Sequence, residues 1–390
     1  MPRLAIFSHK LFRRTPNGLR TTGALTIQVE ALSPYFDQIT LCVPVVEDPN
    51  FFGLGVDSPN VIFNPLPYYH GRTDFLVALP RLLRKIINIT EQSDLALVIL
   101  PSYVGVLASI LCQRKNFPLF LWVVGNWGQN VVIRRSSSWG KWLASSSLAP
   151  ILNWTLKRVT RDILTFYNGK ILFDQGKAYH YTRTSSSIRQ RDLFSPEVTS
   201  PMHSPPLLLF VGRLSAEKGL PILLRAVAQL KAQGEMVHLQ IAGSGEMQDT
   251  LRDYTQKLAL KDQVDFLGYV SQRSELLRLY RESDMLILPS LQDLQPKVLL
   301  EAMSQSLPVI TTCVGGIPSI IQDGVNGILI PPAKSNAIVS AVNKLRSHQE
   351  LRQKLMKSGL EFARDHTVER ETSRMIKIIG SHFQPLQILQ

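Results

Sequence analysis

Short apolar runs that end in Gly, Ser, Asn or Pro, each followed by a longer segment with helical spacing, recur along nearly the whole chain. This rhythm leaves few architectures open. Parallel strands buried on both faces read as unbroken apolar runs, and each needs a crossover, usually a helix, to reach the next. In the first half, residues 4–7, 39–43, 95–100, 119–124 and 164–167 read as strands, and 24–32 as a helix that starts at a loop holding Pro16, Asn17, Gly18 and Gly23. In the second half the strands fall at 207–211, 237–241, 264–266, 285–288, 308–311 and 327–330. Helices fall at 220–233, 247–258, 275–281, 298–304 and 337–346, with a last one at 367–383. The expected fold class is α/β, with doubly wound parallel sheets.

A chain of 390 residues is long enough for two or three domains of about 150 residues each. The sharpest break in composition is Ser195–Pro206, where Pro196, Pro201, Pro205 and Pro206 are mixed with Ser and Thr and no helical period survives. It divides the chain into two Rossmann-like domains, 1–203 and 204–366, with a C-terminal helix at 367–384 joining the first. With 45% hydrophobic and 19% charged residues, disorder is excluded. Cys42, Cys112 and Cys313 lie far apart in apolar runs, as expected of reduced, buried thiols in a cytosolic protein. The apolar stretch after Arg3 is too short for the core of a signal peptide. Residues 95–112 are uncharged, but Pro101, Ser102 and Tyr103 interrupt them where a strand would pass into a helix, which argues against a membrane span.

Two open parallel sheets would leave a cleft between them, with ligands at the carboxyl ends of the strands, where helix N-termini offer N–H groups. Four glycine loops occupy such ends: Gly18 with Gly23, Gly212, Gly243 with Gly245, and Gly315 with Gly316. None is a Walker A loop, and the Gly243–Gly245 pair lacks the third glycine of a dinucleotide fingerprint. More specific is Gly212, Arg213, Glu217, Lys218 and Gly219 between a strand and a helix, because two cations and a helix N-terminus suit a diphosphate. The plain alternative is a solvated loop with an Arg213–Glu217 surface pair. Asp293, in the loop after a strand, and Glu301, in the first turns of the next helix, can each accept hydroxyl hydrogen bonds from a sugar or ribose. The alternative for Glu301 is a charge that favours the helix dipole.

These residues carry a resemblance. Val211-Gly212-Arg213-Leu214 with Glu217-Lys218-Gly219, Ala242-Gly243-Ser244-Gly245, Phe266-Leu267-Gly268, Pro289-Ser290, Glu301-Ala302-Met303, Pro308 through Thr312, and Gly315-Gly316-Ile317-Pro318 follow in order. Together they resemble the nucleotide-sugar-binding half of a GT-B glycosyltransferase of retaining family 4, the glycosyl transferases group 1 domain. The resemblance runs from about Leu207 to Pro332, whereas the first 200 residues share only the outline of the acceptor domain.

The resemblance implies a hexosyltransferase-type enzyme that moves a sugar from a nucleoside diphosphate sugar to an acceptor hydroxyl with retention. Arg213 and Lys218 would neutralise the diphosphate and stabilise the leaving group. Glu301 would bind the ribose and Asp293 would face the transferred sugar. Ser290, Gly315 and Gly316 would line the same pocket, with Gly212, Gly243 and Gly245 in the adjoining loops and Tyr269 near the base. Gly23 would approach the donor from the first domain, and Asn126 with Trp127 would lie on the acceptor side. The sequence departs from the family at Asp293 and Ser319, where Glu is usual, at Leu294, where Gly is usual, and at Thr22, where a Gly-Gly pair is usual. A weakened enzyme or an inactive partner subunit stays open for that reason.

No Asp-x-Asp motif occurs and the histidines show no ligand spacing, so neither a metal nor a tightly bound cofactor is expected. The net charge of +13 is concentrated in residues 1–203, with 22 Lys/Arg against 12 Asp/Glu. Arg13-Arg14, Arg81 with Arg84-Lys85, Arg134-Arg135 and Lys157-Arg158 with Arg161 suit either an anionic membrane surface carrying a lipid-linked or polysaccharide-precursor acceptor, or solvated crossover helices. The expected location is the cytoplasm, peripheral on the membrane's inner face. No zinc finger or RNP aromatic pair supports nucleic-acid binding. An epimerase or phosphorylase on the same fold is the runner-up.

Overall fold

A computed structural model describes residues 1–69, 71–125, 153–169, 172–173, 179–196 and 201–384. The chain forms two compact units, Met1–Arg183 with Glu369–Gln390, and Thr184–Val368.

In the first unit the strands are β1 (Arg3–Phe7), β2 (Phe12–Thr15), β3 (Gly18–Arg20), β4 (Gln38–Cys42), β5 (Val45–Glu47), β6 (Val61–Phe63), β7 (Leu95–Leu100), β8 (Leu119–Val123), β9 (Thr165–Asn168) and β10 (His180–Arg183). Seven of them pair in the order β10-β9-β8-β7-β1-β4-β6, every pair parallel. The run 95–112 resolves into β7, buried at every residue, and a helix, Tyr103–Arg114, capped by Ser102, whose side chain accepts from Gly105 N–H. No helix among the described residues is long and apolar enough to cross a membrane. The C-terminal helix Val368–His382 buries Met375, Ile376 and Ile379 in the core that holds Leu4, Ile6, Leu97 and Phe120.

Two features of this unit, and one of the second, differ from the sequence expectation or go beyond it. The loop around Gly18 holds a small sheet, β3-β2-β5, whose strands are too short and too exposed to show a period. The basic cluster Arg81 with Arg84-Lys85 lies on a helix that extends over Arg72–Glu91, with Pro80 inside it, where proline ordinarily argues for a break. Cys42 and Cys112 are buried as expected, but Cys313 of the second unit is exposed. It follows the last residue of its strand, where the chain has left the core.

The second unit contains β11 (Leu207–Val211), β12 (His238–Ala242), β13 (Val264–Gly268), β14 (Met285–Leu288), β15 (Val309–Thr312) and β16 (Ile328–Ile330), all parallel, in the order β13-β12-β11-β14-β15-β16. The chain runs outward from β11 to β13, returns to β14 on the other side of β11, and continues to β16. The carboxyl ends of β11 and β14 are therefore the topological switch point, where open α/β sheets bind ligands. The segment Thr184–Phe194 belongs to this unit: Ile188 is buried in its core, and Phe194 N–H donates to Ser304 O at 2.8 Å. A helix at Gln349–Asp365, between the expected ones, also packs there through Leu355 and Ala363.

Candidate functional site

The loop after β11 carries Gly212 and the exposed Arg213, makes a tight turn over Ala216–Lys218, and enters the helix Leu220–Ala232. Gly219 joins turn to helix with φ +69°, and a Cβ there would sit 2.1 Å from Pro289 O in the loop after β14. Only glycine satisfies both conditions. Its absent side chain lets the two switch-point loops touch, and Leu291 N–H donates to Glu217 O at 2.7 Å.

That contact brings two of the expected residues together. Lys218 Nζ lies 2.5 Å from Asp293 Oδ2, with side chains 19% and 12% exposed, and Ser290 Oγ donates to the same oxygen at 3.3 Å. Arg213 is not paired with Glu217, whose carboxylate instead accepts from Ser215 Oγ at 2.6 Å. Arg213 and Lys218 thus sit in one short loop that leads into a 13-residue helix, with Lys218 at the turn just before its N-terminal end. This concentration of positive potential suits an anion with several oxygens.

The other glycines support this pair through backbone contacts. Gly212 N–H donates to Ala242 O and Leu214 N–H to Ser244 O, both at 3.0 Å, which ties the Gly243–Gly245 loop under the cationic one. Gly315 has φ +56°, and a Cβ on it would lie 1.7 Å from Asp293 O; one on Gly316 would lie 1.6 Å from Leu294 O. The close approach that these glycines permit is thus to the loop carrying Asp293. Ser319 Oγ donates to Gly316 O at 2.6 Å, within the same turn. Tyr269 is exposed just after β13, beside Gly268, whose carbonyl accepts from Gly243 N–H at 2.7 Å.

Glu301 is held differently from the solvent-facing dipole charge that its sequence position also permitted. Only 8% exposed, it accepts from Ser187 Oγ at 2.5 Å on Oε1 and from Tyr280 OH at 3.0 Å on Oε2. Burial and the neighbouring carboxylate push the Tyr280 phenol well above its ordinary range, so it stays a donor. Sequence reading singled out neither Ser187 nor Tyr280: the first sits in a serine run before the Pro-rich stretch, and the second reads as the apolar face of a helix.

In the first unit, Gly23 has φ +82° just before the helix Leu25–Leu32, and Lys10, another residue not singled out, donates to Thr22 Oγ1 at 3.3 Å beside it. Of the tryptophans, Trp122 is buried beneath the Arg183 guanidinium and donates to Asn168 Oδ1 at 2.7 Å, while Trp154 is exposed. Asn126, Trp127, Arg134, Arg135 and Trp142 lie outside the described residues. Among the described residues there is no group of three or more His, Cys, Asp or Glu able to hold a metal ion.

Residues 194–362 match the Glycosyl transferases group 1 family. The matched stretch holds Arg213, Lys218, Asp293 and Glu301, so these four residues lie within the part that is similar to that family. Two relatives match over this part: an uncharacterized glycosyltransferase of Methanocaldococcus jannaschii at 35% identity and the amylovoran biosynthesis glycosyltransferase AmsK of Erwinia amylovora at 32%. Each match covers 39% of this chain and 39% of the relative, so the chain spans well under half the length of either.

Among solved structures, sucrose-phosphate synthase from Thermosynechococcus elongatus superposes with a TM-score of 0.74 at 18% identity, over 99% of this chain and all of that one. Anabaena HepE in complex with UDP-glucose gives 0.68 at 17% identity, over 99% of this chain and all of that one. At these identities the likeness establishes the fold, which is the GT-B fold of two Rossmann-like α/β domains with parallel sheets.

Proposed function

We propose that the protein is a retaining glycosyltransferase of the hexosyltransferase type that uses a nucleoside diphosphate sugar. The carrying observation is the meeting of Lys218 and Asp293 at the β11/β14 switch point, in the loop that also carries Arg213 and ends at a helix N-terminus. On this reading Arg213 and Lys218 hold the diphosphate. As the bond from the anomeric carbon to the β-phosphate oxygen breaks, negative charge develops on that oxygen, and the two cations stabilise it. The acceptor hydroxyl forms the new bond on the same face and passes its proton to the departing phosphate. Protein groups then supply mainly position and charge, with no resident metal or cofactor.

Asp293 orients the Lys218 ammonium through Oδ2 and keeps Oδ1 for a hydroxyl of the transferred sugar. Ser290, Gly315 and Gly316 fix its loop. Glu301 takes the ribose, and Tyr269 lies near the base. Gly212, Gly243 and Gly245 shape the diphosphate loop. The domain assignment that goes with this reading gives the second unit the donor and the first unit the acceptor, with Gly23 approaching the donor from the first unit and Asn126 and Trp127 on the acceptor side. HepE's complexes with UDP and UDP-glucose support a UDP-sugar as the first donor to try, and the name of AmsK supports a polysaccharide or its lipid-linked precursor as acceptor.

A peripheral contact with an anionic membrane at its cytoplasmic face is supported by the helix Arg72–Glu91, where Leu76 and Val77 are 64% and 82% exposed and the exposed Arg81 and Arg84 follow Val77 by about one and two turns. The test is turnover of UDP-, GDP- and ADP-sugars with the product's anomeric configuration read by NMR. Lys218→Ala and Glu301→Ala are expected to abolish turnover, and unchanged turnover in both would refute the proposal.

A further inference from the structure

The segment Thr184–Phe194, which opens the second unit, is tied to the rest of it by several polar contacts. Ser185 N–H donates to Gln295 Oε1 at 2.9 Å and Gln305 Nε2 to Asp192 O at 2.5 Å, while inside the segment Arg189 N–H donates to Asp192 Oδ2 at 2.7 Å. Arg273 grips the segment from the start of the helix Arg273–Glu282, reaching Asp192 Oδ2 at 2.6 Å and Ser187 O at 2.9 Å. The backbone of Ser187 is thereby fixed, and its hydroxyl is aimed at Glu301. Tyr280, on the same helix as Arg273, reaches the other carboxylate oxygen.

We infer that Ser187 and Tyr280 are positioning residues that orient the Glu301 carboxylate so that it selects nucleotides carrying a ribose diol. This rests on the proposed reading of Glu301 as the ribose-binding residue. A carboxylate offers about four lone-pair sites. The two hydroxyls take one on each oxygen, which leaves one per oxygen, matching the two O–H donors of a 2′,3′-diol. Each positioning group is a single donor spent on the carboxylate, so neither competes for the ligand. Tyr280 is buried and its raised pKa keeps it protonated at working pH. Rotation of a carboxylate fixed at both oxygens would break one of these bonds, so its free lone pairs keep a single direction. At a site this buried, a missing ribose hydroxyl leaves an acceptor without a partner, which penalises the deoxy analogue.

The experiment measures dissociation constants by titration calorimetry for UDP, GDP and ADP and for their 2′-deoxy forms, using the full chain and the variants Ser187→Ala, Ser187→Thr, Tyr280→Phe and Glu301→Ala. For the best-bound nucleotide the wild type is expected to prefer the ribose form about ten- to a hundredfold. Glu301→Ala should reduce the preference to within about threefold, and Ser187→Ala and Tyr280→Phe should each cut it at least about fivefold. Ser187→Thr, which keeps the hydroxyl, should restore it. A merely structural role would weaken ribose and deoxy forms together and leave their ratio unchanged. If Ser187→Ala and Tyr280→Phe keep the wild-type ratio while Glu301→Ala loses it, the inference is wrong and the reading of Glu301 stands. If Glu301→Ala itself keeps the ratio, that reading fails and the inference with it. Should Tyr280→Phe not fold, the Ser187 pair decides alone.

Discussion

Replacing Gly315 by alanine tests how the Asp293 loop is held. Two separate penalties act at this position. The left-handed conformation, φ +56°, costs an L-residue with a Cβ about 1 kcal/mol. The Cβ would also stand 1.7 Å from Asp293 O, where real contacts of this kind keep 3.0 Å or more, so one backbone must retreat by over an ångström. Overpacking of this sort typically costs about 1–3 kcal/mol. The total is about 2–4 kcal/mol. Gly324 supplies the control, because it has φ +68° but nothing within 4 Å of a Cβ, so Gly324→Ala carries the conformational penalty alone, about 1 kcal/mol. Urea unfolding of both variants at pH 7 isolates the contact as the difference between them. Gly315→Ala should also lower nucleotide affinity, since the retreat pulls Asp293 from Lys218, while Gly324→Ala should not. Equal destabilisation by the two substitutions would show that the backbones of Gly315 and Asp293 are not in contact.

Other consequences can be checked directly. Brief alkylation with iodoacetamide at pH 8 should label the exposed Cys313 and spare Cys42 and Cys112; burial pushes the Cys112 thiol up to about 12 and that of Cys42 higher still. Peptide mass mapping reads the outcome, and labelling of Cys42 in native protein would contradict the packing of β4. Arg3 donates to Asp94 from its backbone N–H and twice from its guanidinium, which holds the carboxyl below its usual range. The stabilisation is present above the ordinary Asp value, about 3.9, and is lost as pH falls through the lowered folded value. Asp94→Asn should therefore lose less stability than wild type on going from pH 7 to pH 3, by a small amount for so exposed a pair. A double-mutant cycle with Lys218→Met and Asp293→Asn, followed by urea unfolding, should give a coupling of about 1–2 kcal/mol, because the pair is mostly shielded from water; a coupling near zero would mean that the pair is not formed.

The central strands of the second sheet were legible because they are buried on both faces and so appear as apolar runs: Leu207–Val211, Met285–Leu288 and Val309–Thr312 all fall within a residue of expectation. The strands Phe12–Thr15, Gly18–Arg20 and Val45–Glu47 were not legible, since three or four half-exposed residues show no period. The helix Arg72–Glu91 was partly hidden by Pro80. In the site, Arg213, Lys218 and Asp293 stood out because they sit between an apolar run and a helix, bounded by glycine or proline. The setting of Glu301 could not be read, because Ser187 lies 114 residues away along the chain and its approach depends on how the Thr184–Phe194 segment is tied down.

The central claim is that the β11/β14 switch point recognises a diphosphate through Arg213 and Lys218. Its most direct test is calorimetric titration of the full chain with a nucleoside monophosphate and the matching diphosphate, in wild type and in Arg213→Ala and Lys218→Met. The claim predicts that wild type binds the diphosphate at least about tenfold more tightly, and that each variant loses most of this gain while its monophosphate affinity changes little. Equal affinity for the two nucleotides in wild type, or a gain that survives both substitutions, would contradict it.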